Sequence, residues 1–325
     1  MSTRRQGLGG RPLGSDSLLF GGQGVTPHRP VEAERENTVP TIDTPEQAEM
    51  AIDELRALLP ADEEGRSIDD WGRSEDVIAR MEPLLNFYYR YWFRVEVEGI
   101  ENVPSEGGAL LVSNHSGALP PDGPMVMQAI RNEHPEPRPL YMLGEHWFKG
   151  YPGISMLAAK IGLVPAHRAN AQRLLRDEGK LAIVFPEGQK GSRKLYWQRY
   201  RLRRFGRGGF VKTAIRAEVP IVPVAVVGAE EAMPIFAHLR LFQKLTGLIY
   251  FPLTPSFPHF GLAAPFMFMP AKFRIKFLEP VEMSGLPEGT DRDPAEVQAI
   301  AEGIRARIQN ELDEMVGRRK SVWTG

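Results

Sequence analysis

The sequence predicts an α/β domain, and three observations carry that prediction. From Gly99 onward, short apolar runs alternate with stretches of helical periodicity, the rhythm of strands joined through helices. The 325-residue chain is 42% hydrophobic and 25% charged, which suits one large domain or two small ones and excludes disorder throughout. Well-capped helical patterns flank the alternating region on both sides.

Met1 to Pro30 is rich in Gly and Arg and has no apolar run of signal-peptide length, so residues 1–40 read as a disordered tail. Thr44-Pro45-Glu46-Gln47 is a capping box with proline at the first helical position. Ala48, Ala51, Ile52, Leu55, Leu58 and Leu59 follow at helical spacing. Ala61 to Asp76 is an acidic linker, and a second helix runs from Glu75 towards Arg94, completing an N-terminal helical region over 41–94. Its end carries Phe87, Tyr88, Tyr89, Tyr91, Trp92 and Phe93 with Arg90 and Arg94 among them. That composition suits a membrane interface and equally suits docking onto a sheet.

Within the α/β domain, 95–290, strands are expected at Ala109–Ser113, Leu140–Leu143, Gly162–Pro165, Leu181–Phe185, Ile221–Val227 and Phe273–Leu278. Helices are expected at Met125–Ile130, His146–Lys160, Ala169–Glu178 and Phe210–Arg216. A final helix and tail occupy 291–325. The helix is capped by Asp293-Pro294-Ala295-Glu296 and has Val297, Ile300, Ala301, Ile304, Ile308, Leu312 and Met315 on one face. Leu245 to Ala271 is uncharged over 27 residues. Its five prolines argue against a spanning helix. It reads either as a proline-rich loop over the core or as a shallow membrane contact or acyl-chain lid.

Charge and composition exclude several functions. Lys plus Arg is 40 against 41 Asp plus Glu, a net charge of −1, so the whole chain is no polycation of the nucleic-acid-binding kind. With no cysteine, there is no disulfide framework, thiolate metal site or cysteine nucleophile, and a cytoplasmic location fits. The seven histidines show no metal-ligand spacing. Neither a Walker loop nor a helix-opening Gly-x-Gly-x-x-Gly occurs.

Four short blocks stand at predicted strand ends. Asn114-His115 closes the first strand, with Asp122 after a Pro120-Pro121 step. A histidine at a strand end is exposed where α/β folds place ligands, and a carboxylate in reach would hold its tautomer. A lone histidine is also common as a structural residue. Gly162 to Arg168, with Asn170 next, forms the second block, Phe185-Pro186-Glu187-Gly188 the third, and Val219-Pro220-Ile221-Val222-Pro223 the fourth. Singly, each reads as an ordinary turn or strand boundary.

In this order, over roughly Arg94 to Pro280, the blocks resemble the lysophospholipid acyltransferase superfamily of glycerolipid acyltransferases, which includes the 1-acylglycerol-3-phosphate acyltransferases. Arg168-Ala169-Asn170 and the Pro-rich segment before Phe273 look more like its diacylglycerol-acyltransferase-related branch. The resemblance implies a mixed, largely parallel sheet flanked by helices. It implies an O-acyltransferase that uses acyl-CoA or acyl carrier protein as co-substrate, with no tightly bound cofactor, no metal and no covalent intermediate. His115 would be the general base and Asp122 its partner, while Asn114, Gly162, Arg168, Asn170, Pro186, Glu187 and Gly188 would contact substrate. Asn114 and the amides near Ser116 and Gly117 are candidates for the oxyanion site. Acceptors would be lysophospholipids or other glycerolipids, and the protein would lie peripherally on the inner face of the cell membrane. The family's His–Asp block has four intervening residues, whereas six lie here, Ser116 to Pro121. A proline bulge is expected to return Asp122 to the imidazole.

From Gly188 to Ala217 there is no acidic residue and there are ten basic ones, among them Lys190, Arg193, Lys194, Arg199, Arg201, Arg203 and Arg204. Tyr196, Trp197, Tyr200 and Phe205 are interleaved. Such a run can be a solvated face, meet the phosphates of anionic lipid or CoA, or stack on single-stranded nucleic acid. The first two suit the resemblance better.

Overall fold

A computed structural model describes residues 68–116, 121–144, 152–246, 252–256, 259–260 and 267–325. The expected tail, the helix after Thr44, residues 145–151, Gly117 and much of the Leu245–Ala271 stretch lie outside them.

The first described helix, α1 (Glu75–Asn86), is N-capped by the Ser74 side chain and continues as a π-helical turn over Phe87–Trp92. The sequence predicts one uninterrupted α-helix there. Pro83 lies inside it and, lacking an N–H, cannot complete the α-helical ladder. The widened turn begins four residues further on, at Phe87. It divides the aromatic residues: Tyr89 and Phe93 are buried, whereas Leu84, Phe87 and Tyr91 are exposed. Phe93 packs on Phe273 at 4.4 Å between ring centroids, and Phe268 meets Tyr88 at 5.7 Å. Part of the stretch therefore docks onto the sheet while another part faces outward.

The chain then forms β1 (Glu96–Glu98), β2 (Ala109–Ser113), α2 (Asp122–Glu133), β3 (Leu140–Gly144), α3 (Pro152–Lys160) and β4 (Leu163–Pro165). Next come α4 (Arg168–Gln172), which runs into a π turn over Arg173–Asp177, and β5 (Leu181–Val184), α5 (Gln189–Ser192), α6 (Gly209–Ala217) and β6 (Ile221–Val227). After α7 (Ala229–Ala232), a small hairpin of β7 (Ala237–His238) and β8 (Pro252–Leu253) encloses α8 (Arg240–Thr246). The chain closes with β9 (Arg274–Phe277) and α9 (Pro294–Arg318).

Among the described residues, seven strands form one sheet in the order β1-β9-β6-β2-β5-β3-β4. Every pairing is parallel except β6 with β9, so the sheet is mixed and largely parallel. Both faces are covered. Alternate residues of β2 point to opposite sides: Leu110 and Val112 join the core under α6 and α9, and Ala109 and Leu111 join the core under α2 and the aromatic turn. The apolar face expected for the last helix is the buried one, with Val297, Ala301, Ile304, Ile308, Leu312 and Met315 in the core and Asp293 capping the N-terminus.

The sequence does not reveal β1. Glu-Val-Glu lacks an apolar run, yet the strand pairs with β9, and its carboxylates meet opposite charges there. Glu96 lies 2.9 Å from Lys272 and 3.0 Å from Arg274. Such an edge is read from its partner rather than from its own composition.

Candidate active site

The parallel strands deliver their C-terminal ends to one side of the sheet, where α/β folds place their ligands. β2 ends there at Ser113 and hands over to Asn114 and His115, β5 delivers Phe185 to Gly188, and β4 delivers Arg168. β6 runs parallel to β2 and delivers Glu230 from α7.

His115 Nδ1 lies 3.2 Å from Asp122 Oδ2. Asp122 thus reaches the ring in spite of the six-residue spacing; residues 117–120, where the bulge is expected, lie outside the described residues. Asp122 opens α2, where the unpaired amides of a helix N-terminus favour a negative charge. Its Oδ2 also accepts from the Ser116 amide at 3.0 Å and the Ser116 hydroxyl at 3.3 Å, and its Oδ1 accepts from the Gly123 amide at 2.8 Å. A carboxylate at Nδ1 keeps the proton there and leaves the Nε2 lone pair as the basic site. Among the described residues Nε2 has no hydrogen-bond partner. The ring stacks on Phe185 with centroids 4.3 Å apart, and its side chain keeps 18% of its exposure while that of Asp122 keeps 1%. The pair is oriented, buried on the carboxylate side and open on the other.

Asn114 was expected to face substrate and instead turns inward. Its Nδ2 donates to the Val226 carbonyl at 2.9 Å and its Oδ1 accepts from the Val226 amide at 2.8 Å. The side chain mimics one more backbone pair of the β2–β6 ladder, so both of its polar groups are engaged. With the Ser116 amide donating to Asp122, neither of these candidates for the oxyanion site points into the open side.

Glu187 is also turned inward, and its carboxylate is fully engaged. Oε1 accepts from the His115 amide at 3.2 Å and Oε2 accepts from the Arg203 amide at 2.8 Å. Lys194 Nζ lies 3.4 Å from each oxygen. Pro186 and Gly188 make the turn that aims Glu187 inward, with Gly188 at a positive φ of 53°. Immediately after it, α5 passes so close to His115 that a Cβ on Gly191 would lie 2.6 Å from Glu187 Cβ and 3.2 Å from His115 Cβ.

Lys194 departs from the expected surface role. Its side chain keeps 2% of its exposure and lies 2.7 Å from Glu230 Oε1. Two buried carboxylates outweigh the gain from solvating the ammonium. Burial alone would lower its pKa, and the attraction of Glu230 and Glu187 reverses this and holds it above the ordinary lysine value. For Glu230, burial pushes the carboxyl up to about 7 against the pull of Lys194. Arg199 lies 3.5 Å from Glu231 and covers the Tyr196 ring. Arg193 is half-buried. Lys190, Arg201, Arg203 and Arg204 are exposed, so the basic run is a surface in part only.

Arg168 is exposed at the start of α4. Three strand spacings separate β4 from β2, which sets Arg168 about 14 Å from the end of β2 along the same edge. Asn170 donates to the Pro165 carbonyl at 3.1 Å and secures the β4–α4 turn, while Gly162 lies in the turn that enters β4. Among the described residues no group of three or more His, Asp or Glu is placed to hold a metal ion, and no helix is long and apolar enough to cross a membrane.

Sequence comparison adds relatives. The sequence profile of the Acyltransferase family matches residues 94–227. An uncharacterized protein of Mycobacterium tuberculosis (strain ATCC 25618 / H37Rv) is 41% identical over 274 residues, spanning 83% of this chain and 75% of that protein. A DGAT1/2-independent enzyme synthesizing storage lipids from Gallus gallus is 25% identical, spanning 80% of this chain and 69% of its own length. Among solved structures, the 1-acyl-sn-glycerophosphate (LPA) acyltransferase PlsC of Thermotoga maritima aligns with a TM-score of 0.49 at 18% identity, covering 84% of this chain and 91% of that one.

Proposed function

The chain belongs to the glycerolipid acyltransferase superfamily, and we propose that it moves a fatty acyl group from acyl-CoA or acyl carrier protein to the hydroxyl of a lysophospholipid such as 1-acylglycerol-3-phosphate. The observation that carries this reading is the His115–Asp122 contact of 3.2 Å with Nε2 on the open side. His115 Nε2 takes the acceptor's hydroxyl proton as the oxygen attacks the thioester carbonyl. The tetrahedral adduct collapses, the C–S bond breaks, and the imidazolium returns the proton to the departing thiolate. The ester forms without an acyl-enzyme. Asp122 holds the ring and stabilises its transient charge, and general-base action of this kind contributes roughly 10²–10⁴-fold. Both nearby serines are buried, and Ser116 Oγ lies on Asp122, which supports transfer without a serine nucleophile.

Arg168 and the exposed arginines after α5 supply cations for the acceptor's phosphate or that of CoA. The acceptor and the acyl chain both reside in a bilayer, so the reading includes peripheral binding to the inner membrane face. A second reading, acyl transfer to diacylglycerol or another alcohol, draws on the storage-lipid enzyme that this chain resembles at 25% identity. A third reading, a catalytically inactive membrane-surface binding protein of the same fold, would suit a His–Asp block too long to pair, and the 3.2 Å contact speaks against it.

The test is CoA release from palmitoyl-CoA with lysophosphatidic acid or diacylglycerol, with lipid extraction to identify product. Acceptor-dependent release is expected for the native chain, and a loss of about 10²-fold or more is expected for His115→Ala. Equal turnover in the variant would refute the general-base role. Product from diacylglycerol alone would move the assignment to the second reading.

A further inference from the structure

Lys194 joins the C-terminal ends of three strands that are neighbours in the sheet. Its ammonium contacts Glu187 from the end of β5 and Glu230 from the end of β6, and Glu187 reaches the His115 amide at the end of β2. The other oxygen of Glu230 accepts from the Tyr200 amide at 2.5 Å. Tyr200 is itself held at a left-handed φ of 61°, a costly conformation that persists where its surroundings over-determine it. Its hydroxyl contacts Glu231 and accepts from the Gly228 amide at 2.9 Å. Arg319 closes the cluster, 2.7 Å from Glu231.

Burying such charges costs free energy, and apolar replacements of buried ion groups are often no less stable. Geometry is the stronger result of this arrangement. Both oxygens of Glu187 accept from backbone amides, so both must be acceptors at once. Without a cation, Glu187 and Glu230 would be two buried carboxylates in one ion cluster. Without the ammonium between its oxygens, the Glu187 carboxylate would be free to turn, and either the His115 amide or the Arg203 amide would lose its acceptor.

We propose that Lys194 is a positioning residue for His115: anchored by Glu230, it fixes the Glu187 carboxylate, and Glu187 fixes the His115 backbone opposite Asp122. His115 is then held twice, at its ring by Asp122 and at its amide by Glu187. The proposal rests on the reading of His115 as the base, and its test separates the two.

Lys194→Met alone would leave both carboxylates without the cation and could unfold the chain, so it is paired with Lys194→Met/Glu230→Gln, which removes one charge of each sign. The double variant is expected to fold, with kcat lower by about 10–100-fold, the cost of a misplaced catalytic group, and KM for donor and acceptor within about twofold, since no substrate contact is removed. Hydrogen exchange at the His115 amide, followed by NMR without substrate, is expected to accelerate by about tenfold or more for loss of a charge-assisted hydrogen bond. The His115 ring resonances are expected to shift with it. Native exchange at His115 in the folded double variant would overturn the proposal, whatever the activity. So would native kcat, or a change confined to KM. If the native chain shows no transfer, the function reading fails while the exchange measurement still decides whether Lys194 positions His115.

Discussion

Glu230 has a titration that sets a pH dependence for folding. Burial pushes its carboxyl up to about 7, against an ordinary value of 4.5. The folded chain therefore retains a proton that the unfolded chain releases near 4.5. Its contribution to stability is fully present below about pH 4.5 and is lost as pH rises through about 7. Urea unfolding at pH 5 and pH 8 is expected to show this loss, and Glu230→Gln is expected to flatten the dependence; an equal slope in the variant would place the proton elsewhere. Gly191 makes a second prediction. A methyl group there would sit 2.6 Å from Glu187 Cβ, too close for either backbone to remain in place. Gly191→Ala is expected to cost about 1–3 kcal/mol of stability and to lower kcat, measured by unfolding and CoA release on one preparation. His115 and Asp122 were legible as a motif because they lie seven residues apart. The inward turns of Asn114 and Lys194 were not. Their partners, Val226 and Glu230, are 112 and 36 residues away in sequence, and composition gives no sign of such pairings.

The strands illustrate what local pattern records. Ala109–Ser113 and Ile221–Val227 were readable to the residue because both faces of these central strands are buried, so every position is apolar or small. The edge strand β1 and the π turn over Phe87–Trp92 escaped detection, one because it depends on a partner's charges and the other because its local composition does not mark a widened turn. The join between the two legible strands carries its own prediction. β2 and β6 pair through Ser113 and Val224, and Asn114 continues the pairing to Val226 with its side chain. Asn114→Ala would leave a buried amide and a buried carbonyl without partners, at about 1–3 kcal/mol each. A stability loss of about 2 kcal/mol or more is expected in urea unfolding, with transfer activity falling because His115 is the next residue. Native stability would mean that water replaces the amide fully.

At the scale of the whole molecule, a net charge of −1 conceals a face of opposite character. Trp197 and Phe236 are exposed, and the neighbouring Tyr196 and Phe236 rings meet at 5.9 Å. β7 is tied to the basic run where His238 Nε2 meets the Arg193 carbonyl at 2.9 Å. From β7 the chain enters α8, whose Leu241 and Leu245 are 67% and 73% exposed. They lie one turn apart, beside the exposed Arg240 and Lys244. A stripe of leucines next to a stripe of cations fits the boundary between lipid tails and anionic headgroups. The aromatic turn offers another outward face through Leu84, Phe87 and Tyr91, but of the two nearest cations there, Arg90 and Arg94, Arg94 is engaged with the Pro270 carbonyl at 2.9 Å. If the protein works on a bilayer, the α8 face should dominate binding to anionic vesicles and the aromatic turn should matter less. Full burial of a leucine contributes roughly 1.5–3 kcal/mol, so even half-insertion of two makes about a tenfold or greater difference in partition. Co-sedimentation with phosphatidylglycerol-containing vesicles is expected to weaken by about that factor in Leu241→Ser/Leu245→Ser. It should weaken again as salt rises, because headgroup attraction is screened. Turnover of a soluble short-chain acceptor should be unaffected in this variant, since α8 supplies no residue of the His115–Asp122 pair. Native vesicle binding in the α8 variant, with loss instead in Phe87→Ser/Tyr91→Ser, would transfer the membrane face to the aromatic turn.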